Sequence, residues 1–367
     1  MNARDNQPKI FDAIKPYIIQ VDASSAAFAL TVSDPSMKIE LANLDYLRAC
    51  AVLFVVFDHI MKLAFHIYSL GFVSMDWLGR LGVLFFFVHT SCVLMMSLER
   101  QSLDQQPGGS FFGRFYLRRI FRIYPLSTVA IGVAMVTGIA SLSRGAWAAN
   151  FALVQNLTGS PNAFEALWSL PVEVQMYLVL PFCFLVATRF RSLVAPMSLW
   201  ALAVGLALAQ PHISWRLRML LYAPCFVPGV LAYVLFRRKL NWLPAILWPP
   251  SLFVIAGAFL FRPNWGWSAW LACLTLGLVA PTFRPLPPSF LTVAVAYIAK
   301  YSYGIYLSHT LLLVWMKPTV RTLPLFFIAL AAASVLSFHL VEQPLIRAGQ
   351  RLTRKRAVPL EMEPAAP

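Results

Sequence analysis

The chain has 367 residues, of which 59% are hydrophobic and only 12% are charged. Soluble domains carry roughly 25% charged residues, and a soluble fold of this length cannot bury so much apolar surface, which excludes that class. The net charge of +15 is spread over short basic runs between apolar segments. We therefore expect an all-α, polytopic membrane protein whose partners include membrane lipid and no nucleic acid.

Ten apolar runs are each long enough to cross a ~30 Å hydrocarbon core as a helix. They lie near residues 46–65, 80–98, 123–141, 168–187, 193–209, 217–236, 244–261, 266–283, 294–316 and 323–343. A mixed polar segment, residues 1–40, precedes the transmembrane domain at 41–346 without a short cleavable signal. A basic, then Pro-containing tail, residues 347–367, follows it, and Pro344 predicts the end of the tenth span.

The basic residues predict the orientation. Most of the 30 Lys and Arg residues fall in one alternate set of loops and in the terminal segments. An even number of spans then places both termini in the cytoplasm by the positive-inside rule. Arg48 lies near the cytoplasmic end of the first span, and His59, eleven residues on, lies ~16 Å deeper. Glu173 enters the fourth span from the outer side and is expected at a depth similar to that of His59.

Ionisable groups inside lipid are costly and mark functional sites. His59 is suited to act as a general base, proton shuttle or transient nucleophile, or it is a polar residue satisfied between helices. Glu173 either pairs with a cation or lines a wet cavity. Arg119 and Arg122 share a helical face and match phosphate oxygens, although anchoring to anionic lipid gives the same pattern.

Polar residues also line the ninth span. Ser302, Tyr306 and His309 follow helical spacing and either line a groove for a sugar or a pantetheine arm, or join neighbouring helices. Trp168 suits the interfacial aromatic belt, and Glu342 has a structural role beside the cytoplasmic arginines. The five cysteines form no CxxC pair, and no Walker loop, GxGxxG, HExxH or Cys–His pattern is present. We expect no metal.

Six motifs in order resemble the acyltransferase-3 family of bacterial integral-membrane O-acyltransferases. They are Leu44-Asp45-Tyr46-Leu47-Arg48 with His59, Phe85-Phe86-Phe87-Val88, Arg119-Ile120-Phe121-Arg122, Trp168-Ser169-Leu170 with Glu173 and Tyr177, Ser302-Tyr303 with Tyr306-Leu307 and His309, and Glu342-Gln343-Pro344. Order and spacing agree across residues 41–346. One departure is His89-Thr90-Ser91, where the family usually has Ser-Gly, and it would narrow a groove or change the donor preference.

The resemblance implies ten membrane helices and acyl transfer from cytosolic acyl-CoA to a sugar hydroxyl at the outer half of the membrane. It makes His59 the catalytic histidine, with Arg48 as its motif partner and Glu173 as the acidic residue of the Trp-Ser-Leu motif. Arg119 and Arg122 match the pair associated with CoA. The short tail leads us to expect a form without a fused extracellular esterase-like domain.

We therefore expect a multi-pass enzyme of the bacterial cytoplasmic (inner) membrane. It would move an acetyl or other short acyl group from acetyl-CoA or another acyl-CoA to a hydroxyl of a surface or lipid-linked glycan. The catalytic residues would be His59, Glu173 and Arg48, and the donor-binding residues Arg48, Arg119 and Arg122. The acceptor-binding residues would be Trp168, Ser169, Tyr177, Ser302, Tyr306 and His309. The alternatives are a transporter or flippase that uses the same charges, and a catalytically inactive scaffold or sensor.

Overall fold

The computed structural model describes residues 35–103, 111–190 and 192–353, with side chains from residue 42 onwards. The helices are α1 (Pro35–His59), α2 (Met75–Leu103), α3 (Phe111–Val136), α4 (Arg144–Phe151), α5 (Gln155–Thr158), α6 (Ser169–Phe190), α7 (Val194–Ile213), α8 (Arg218–Phe236), α9 (Trp248–Phe261), α10 (Trp267–Val279), α11 (Phe290–Met316), α12 (Leu323–Ser337) and α13 (Gln343–Thr353).

Short elements connect these helices. Two π-helical turns, Ile60–Ala64 and Phe338–Glu342, extend α1 and α12, and 3₁₀ turns cover Glu165–Trp168, Ala245–Leu247 and Ala280–Thr282. The strands β1 (Ser69–Leu70) and β2 (Val73–Ser74) pair antiparallel in a small hairpin before α2. The expectation of an all-α architecture is thus confirmed. Within the described ranges, this hairpin is the only pair of strands.

Seven helical segments of the described chain are long and apolar enough to cross a membrane. They are Met75–Leu103, Phe111–Val136, Glu165–Phe190, Val194–Ile213, Arg218–Phe236, Phe290–Met316 and Leu323–Thr353, and two shorter apolar helical segments cover Ala245–Phe261 and Trp267–Thr282. The chain is therefore a polytopic membrane protein. Each of the ten apolar runs of the sequence coincides with a helix, α1 included, but the number of crossings and the sides of the termini stay predictions.

Two helix boundaries differ from the expectation. α3 begins at Phe111, about three turns before the predicted span, because arginine is a good helix former and α13 packs on this basic half of α3. Arg118 donates from Nε to Oγ1 of Thr353 at 2.8 Å across that contact. Pro344 does not end the helical chain, because it lies in the first turn of α13, where its missing N–H costs little.

The expected terminal segments are only partly described. α1 begins at Pro35, inside residues 1–40, and α13 continues into the tail as far as Thr353. The remaining residues, 1–34 and 354–367, lie outside the described residues, so the boundaries of the extension and the tail stay predictions.

The centre of the fold is a close contact between α2 and α8. The rings of Phe87 and Phe226 stack with their centroids 4.2 Å apart. Ser91 donates from Oγ to the carbonyl oxygen of Phe226 at 2.6 Å. A Cβ atom added to Gly229 would lie 1.9 Å from Oγ of Ser91 and 2.3 Å from the carbonyl oxygen of Val88. A glycine thus lets the two backbones approach, as in other membrane helix pairs.

The α2–α8 contact generates a prediction about stability. Gly229→Ala should lower the free energy of unfolding by about 1–3 kcal/mol through overpacking, because the backbone of α2 cannot yield to the new methyl group. The matched control is Gly205→Ala in α7, where the added Cβ meets nothing within 4 Å. That change should alter stability by less than about 1 kcal/mol. Thermal unfolding in detergent, followed by size-exclusion fluorescence, measures both, and equal melting temperatures for the two variants would contradict the packing argument.

Candidate active site

Ionisable side chains from several helices meet in two clusters inside the protein. We call the first the histidine group, which consists of Asp58, His59, Lys62, Glu165 and His309. We call the second the arginine group, which consists of Arg48, Arg119, Arg122, Glu173 and Glu342. α1 contributes to both groups, because it carries Arg48 and His59 eleven residues apart, and α11 packs beside it.

His59 is the last residue of α1, and only 6% of its surface is exposed. Its Nδ1 lies 2.8 Å from the carbonyl oxygen of Val55, one turn earlier on the same helix. A carbonyl oxygen only accepts, so Nδ1 carries the proton and donates it, and in the neutral ring Nε2 keeps a free lone pair. The imidazole is therefore held as the tautomer in which Nε2 is a base.

A carboxylate faces that base. Oε1 of Glu165, in the 3₁₀ turn before α6, lies 3.6 Å from Nε2 of His59, and Oδ2 of Asp58 lies 3.5 Å from Nδ1. Lys62, in the π-helical turn after α1, lies 3.1 Å from Asp58 and 3.2 Å from Glu165 between nitrogen and oxygen. Neither Glu165 nor Lys62 was among the site residues predicted from the sequence, although Lys62 follows His59 by three residues and so shares its helical face.

A second imidazole adjoins the first. The rings of His59 and His309 meet edge to face with their centroids 4.9 Å apart. Nδ1 of His309 lies 3.1 Å from the carbonyl oxygen of Ile305, which again leaves Nε2 as the free base. This Nε2 is buried and has no hydrogen-bond partner among the described residues. His309, expected in the acceptor site, thus directly contacts the predicted catalytic histidine.

Ser169 and Tyr306 connect α6 to α11. Oη of Tyr306 donates to the carbonyl oxygen of Ala166 at 2.6 Å, and Oγ of Ser169 lies 2.7 Å from the same Oη. Both side chains are buried. Trp168 lies apart from this contact, since its ring packs against Tyr222 and Trp265 at centroid distances of 5.5 and 6.4 Å.

The arginine group surrounds Glu173. Tyr177 donates a short hydrogen bond from Oη to Oε1 of Glu173, and Arg48, Arg119 and Arg122 all interact electrostatically with this carboxylate. Glu173 therefore lies in the field of three cations without forming an ion pair in the described part of the chain, so both alternatives for this residue stay open. The carboxylate that the structure places against Nε2 of His59 is that of Glu165.

The arginines themselves have different partners. Arg48 donates from Nε to Oγ of Ser302 at 2.6 Å, and Nη1 of Arg122 lies 3.1 Å from Oε2 of the fully buried Glu342. Arg119 has its guanidinium 5.8 Å above the ring of Phe115, and its Nε has no hydrogen-bond partner in the described part of the chain. Arg119 thus has unused donor capacity.

One face of α11 links the two groups. Ser302 contacts Arg48, Tyr306 contacts Ser169, and His309 contacts His59. These positions are four and three residues apart, so they lie on one side of the helix over a length of ~10 Å. The polar stripe read from the sequence therefore joins helices and at the same time runs from the arginine group to the histidine group.

The departure at His89 lies beside the arginine group. His89 is 5% exposed and interacts electrostatically with Arg48, and its Nδ1 has no hydrogen-bond partner among the described residues. The family that the motifs resemble usually has a smaller residue at this position. The imidazole of His89 therefore occupies interior space that a smaller side chain would leave open. Within the described residues no group of three or more His, Cys, Asp or Glu is placed to hold a metal ion.

The pair of Arg122 and Glu342 generates a second prediction. Arg122→Ala should destabilise the protein by about 3–5 kcal/mol, because it leaves the carboxylate of Glu342 buried without its nearest cation. Arg122→Ala combined with Glu342→Gln should recover most of that loss, since a neutral amide costs less to bury.

The matched control for this pair is Arg237→Ala, which breaks the 3.2 Å pair with Glu99, where the side chain of Arg237 is 51% exposed. An exposed pair contributes less than about 1 kcal/mol. Melting temperatures in detergent report all three variants. Equal losses for Arg237→Ala and Arg122→Ala would contradict the argument from burial.

Comparisons with known proteins agree with the resemblance seen in the motifs. The chain is 25% identical over 366 residues to "Peptidoglycan O-acetyltransferase OatA" of Listeria monocytogenes serovar 1/2a (strain ATCC BAA-679 / EGD-e), with 84% of this chain and 56% of the relative covered. The chain thus spans about half the length of that relative. No solved structure matches the chain, and nothing in these comparisons supports the transporter alternative.

A family model, Acyl_transf_3, described as an acyltransferase domain, matches residues 41–341. This range includes both the histidine group and all but the last residue, Glu342, of the arginine group. The family recognised from the six motifs is thereby confirmed, and with it the expectation of an acyltransferase. The chain belongs to the acyltransferase-3 family.

Proposed function

We propose that this protein is a membrane O-acyltransferase that moves an acetyl or other short acyl group from acyl-CoA to a hydroxyl of a glycan. The observation that carries the proposal is the buried imidazole of His59, whose Nδ1 lies 2.8 Å from the carbonyl oxygen of Val55 and whose Nε2 lies at one end of the polar face of α11. The arginine group, at the other end of that face, supplies the cations that a donor with phosphate groups requires.

The donor would bind at the arginine group. Arg119 has spare donors, and Arg48 and Arg122 add two more positive charges around the carboxylate of Glu173. Phosphate oxygens of CoA would bind these guanidinium groups, and the pantetheine arm would lie along Ser302 and Tyr306. That path brings the thioester to His59 without placing a charged group in lipid.

His59 would act on the acceptor. Nε2 of His59 takes the proton of the glycan hydroxyl while the hydroxyl oxygen attacks the carbonyl carbon of the thioester. The carbon–sulfur bond then breaks. The thiolate of CoA leaves and receives the proton back from the imidazolium, so that atoms and charge balance. Transient transfer of the acyl group to Nε2 fits the same geometry. Glu173 would order the arginines around the donor.

The acceptor would enter from the other side of the membrane. Glu165 has a half-exposed side chain, and the aromatic side chains of Trp168, Tyr222 and Trp265 pack nearby, as is common in sites that bind sugars. The similarity to a protein named as a peptidoglycan O-acetyltransferase supports a glycan acceptor. Ten crossings, cytoplasmic termini and a bacterial cytoplasmic membrane complete the proposal, with the acceptor a surface polysaccharide or a lipid-linked glycan.

The test is acetyl transfer by membrane vesicles that contain the protein. With [14C]acetyl-CoA as donor, wild-type vesicles should place base-labile label in the glycan fraction of the cell envelope. His59→Gln should lower the rate at least ~100-fold, because the amide cannot accept the hydroxyl proton. Mass spectrometry of the glycans with and without the protein would identify acyl group and acceptor together.

The control variant is His212→Gln, which changes an exposed histidine near the end of α7. It should retain wild-type activity. Full activity of a well-folded His59→Gln variant would contradict the role of His59. Movement of a glycan across the vesicle membrane without release of free CoA would instead favour a transporter.

A further inference from the structure

Lys62 is a buried cation that the proposed mechanism does not use. It is 8% exposed, and its ammonium nitrogen lies 2.7 Å from Asp76, 3.1 Å from Asp58 and 3.2 Å from Glu165. One ammonium group therefore holds three carboxylates that come from α1, from the first turn of α2 and from the 3₁₀ turn before α6. A buried lysine is costly unless it is paired, so this arrangement needs an explanation.

The contact with Glu165 has a specific geometry. The same oxygen, Oε1, lies 3.2 Å from Nζ of Lys62 and 3.6 Å from Nε2 of His59. The side chain of Glu165 is 49% exposed, so without a partner it would sample several rotamers. Lys62 thus fixes the one carboxylate oxygen that faces the proposed base.

The charge on Glu165 matters only after a proton has moved. While Nε2 is unprotonated, a lone pair of nitrogen faces a carboxylate oxygen, and the pair makes no hydrogen bond. Once Nε2 has taken the proton of the acceptor, an N–H group and a positive charge face the same oxygen, and the interaction becomes attractive. An interaction that strengthens along the reaction lowers the activation barrier and leaves the binding free energy of the substrate unchanged.

We propose that Lys62 is a positioning residue that holds Glu165 against Nε2 of His59, so that Glu165 stabilises the imidazolium formed during acyl transfer. This inference rests on the proposed function. The other ionisable groups around His59 are Asp58, which lies at Nδ1, and His309, whose ring meets that of His59 edge to face. Asp76 and Lys62 act on His59 electrostatically, without an ion pair to its ring. In the described part of the chain none of these groups forms an ion pair with Nε2, so Glu165 is the carboxylate placed for this task.

The test compares steady-state kinetics of acetyl transfer from [14C]acetyl-CoA to the envelope glycan fraction. Glu165→Gln keeps the shape of the side chain and removes its charge, so kcat should fall about 10- to 100-fold while KM for acetyl-CoA stays unchanged. Lys62→Met should lower kcat to a similar extent, and Lys62→Arg should recover most of it. The double variant Lys62→Met/Glu165→Gln should be no slower than the slower single variant, because both act through one contact.

The matched control is Asp76→Asn. It removes the shortest contact of Lys62, at 2.7 Å, through a side chain that is 57% exposed and forms no ion pair with His59. Its kcat should stay within about twofold of wild type. A loss of kcat as large as that of Glu165→Gln would show that Lys62 only braces the outer ends of α1 and α2, and would overturn the proposal.

Two further outcomes separate the proposals from each other. If wild-type vesicles transfer acetyl groups and folded Glu165→Gln does so at the full rate, the inference about Lys62 and Glu165 is wrong and the acyltransferase function stands. If wild-type vesicles form no labelled ester, the proposed function fails and this inference fails with it. Lys62→Met leaves Asp58 without its cation and could therefore prevent folding. In that case the inference is judged from Glu165→Gln alone, because that change is made at a half-exposed position.

Discussion

The hydrogen bond from Nδ1 of His59 to the carbonyl oxygen of Val55 determines what this site can do. It is made within α1 itself, by a side chain and a backbone group four residues earlier, so it needs no second element to form. It fixes the tautomer, and the tautomer leaves Nε2 unprotonated in an interior that disfavours charge. The roles proposed for Glu165 and His309 and the proposed direction of proton transfer depend on where that lone pair points.

The second constraint is the cost of placing charge in an apolar interior. Glu342 is buried and pairs with Arg122, and Lys62 is paired with three carboxylates. Three arginines act electrostatically on Glu173. Each cluster is held by residues from different helices, so the charges also fix how α1, α3, α6 and α12 are placed around α11. The site is in this sense part of the fold and is not an addition to it.

Much of this arrangement could be predicted from the sequence. Charged residues are rare inside lipid because they are costly there, so each one marks a candidate site. Arg48, His59 and Glu173 attract attention through their cost alone, and the spacing of Ser302, Tyr306 and His309 predicts a shared helical face. Depth along a helix follows from counting residues, but rotation about its axis does not. For that reason the sequence could not place Glu173 among the arginines or show that Arg122 pairs with Glu342.

Glu165 and Lys62 were missed for a different reason. A lysine in the last turn of an apolar run usually extends its ammonium group to the membrane surface, and a glutamate before such a run usually lies in water. Their roles appear only when the π-helical turn after α1 and the 3₁₀ turn before α6 bring them together. The start of α3 at Phe111 likewise depends on its tertiary contact with α13, which no local pattern contains.

The proposed reaction requires that donor and acceptor reach His59 from opposite faces of the membrane. Membrane-impermeant [14C]acetyl-CoA, added to proteoliposomes sorted by orientation, tests this requirement. The variant Gln350→Cys places an accessible thiol at an exposed position of α13, and the side on which this thiol lies reports the orientation of the protein. The five native cysteines are buried, so they do not compete with it. We expect ester formation only when acetyl-CoA is on the face that carries α13 and a soluble oligosaccharide acceptor is on the other face. Equal rates with the donor on either face, or ester formation with both substrates on the face opposite α13, would contradict it.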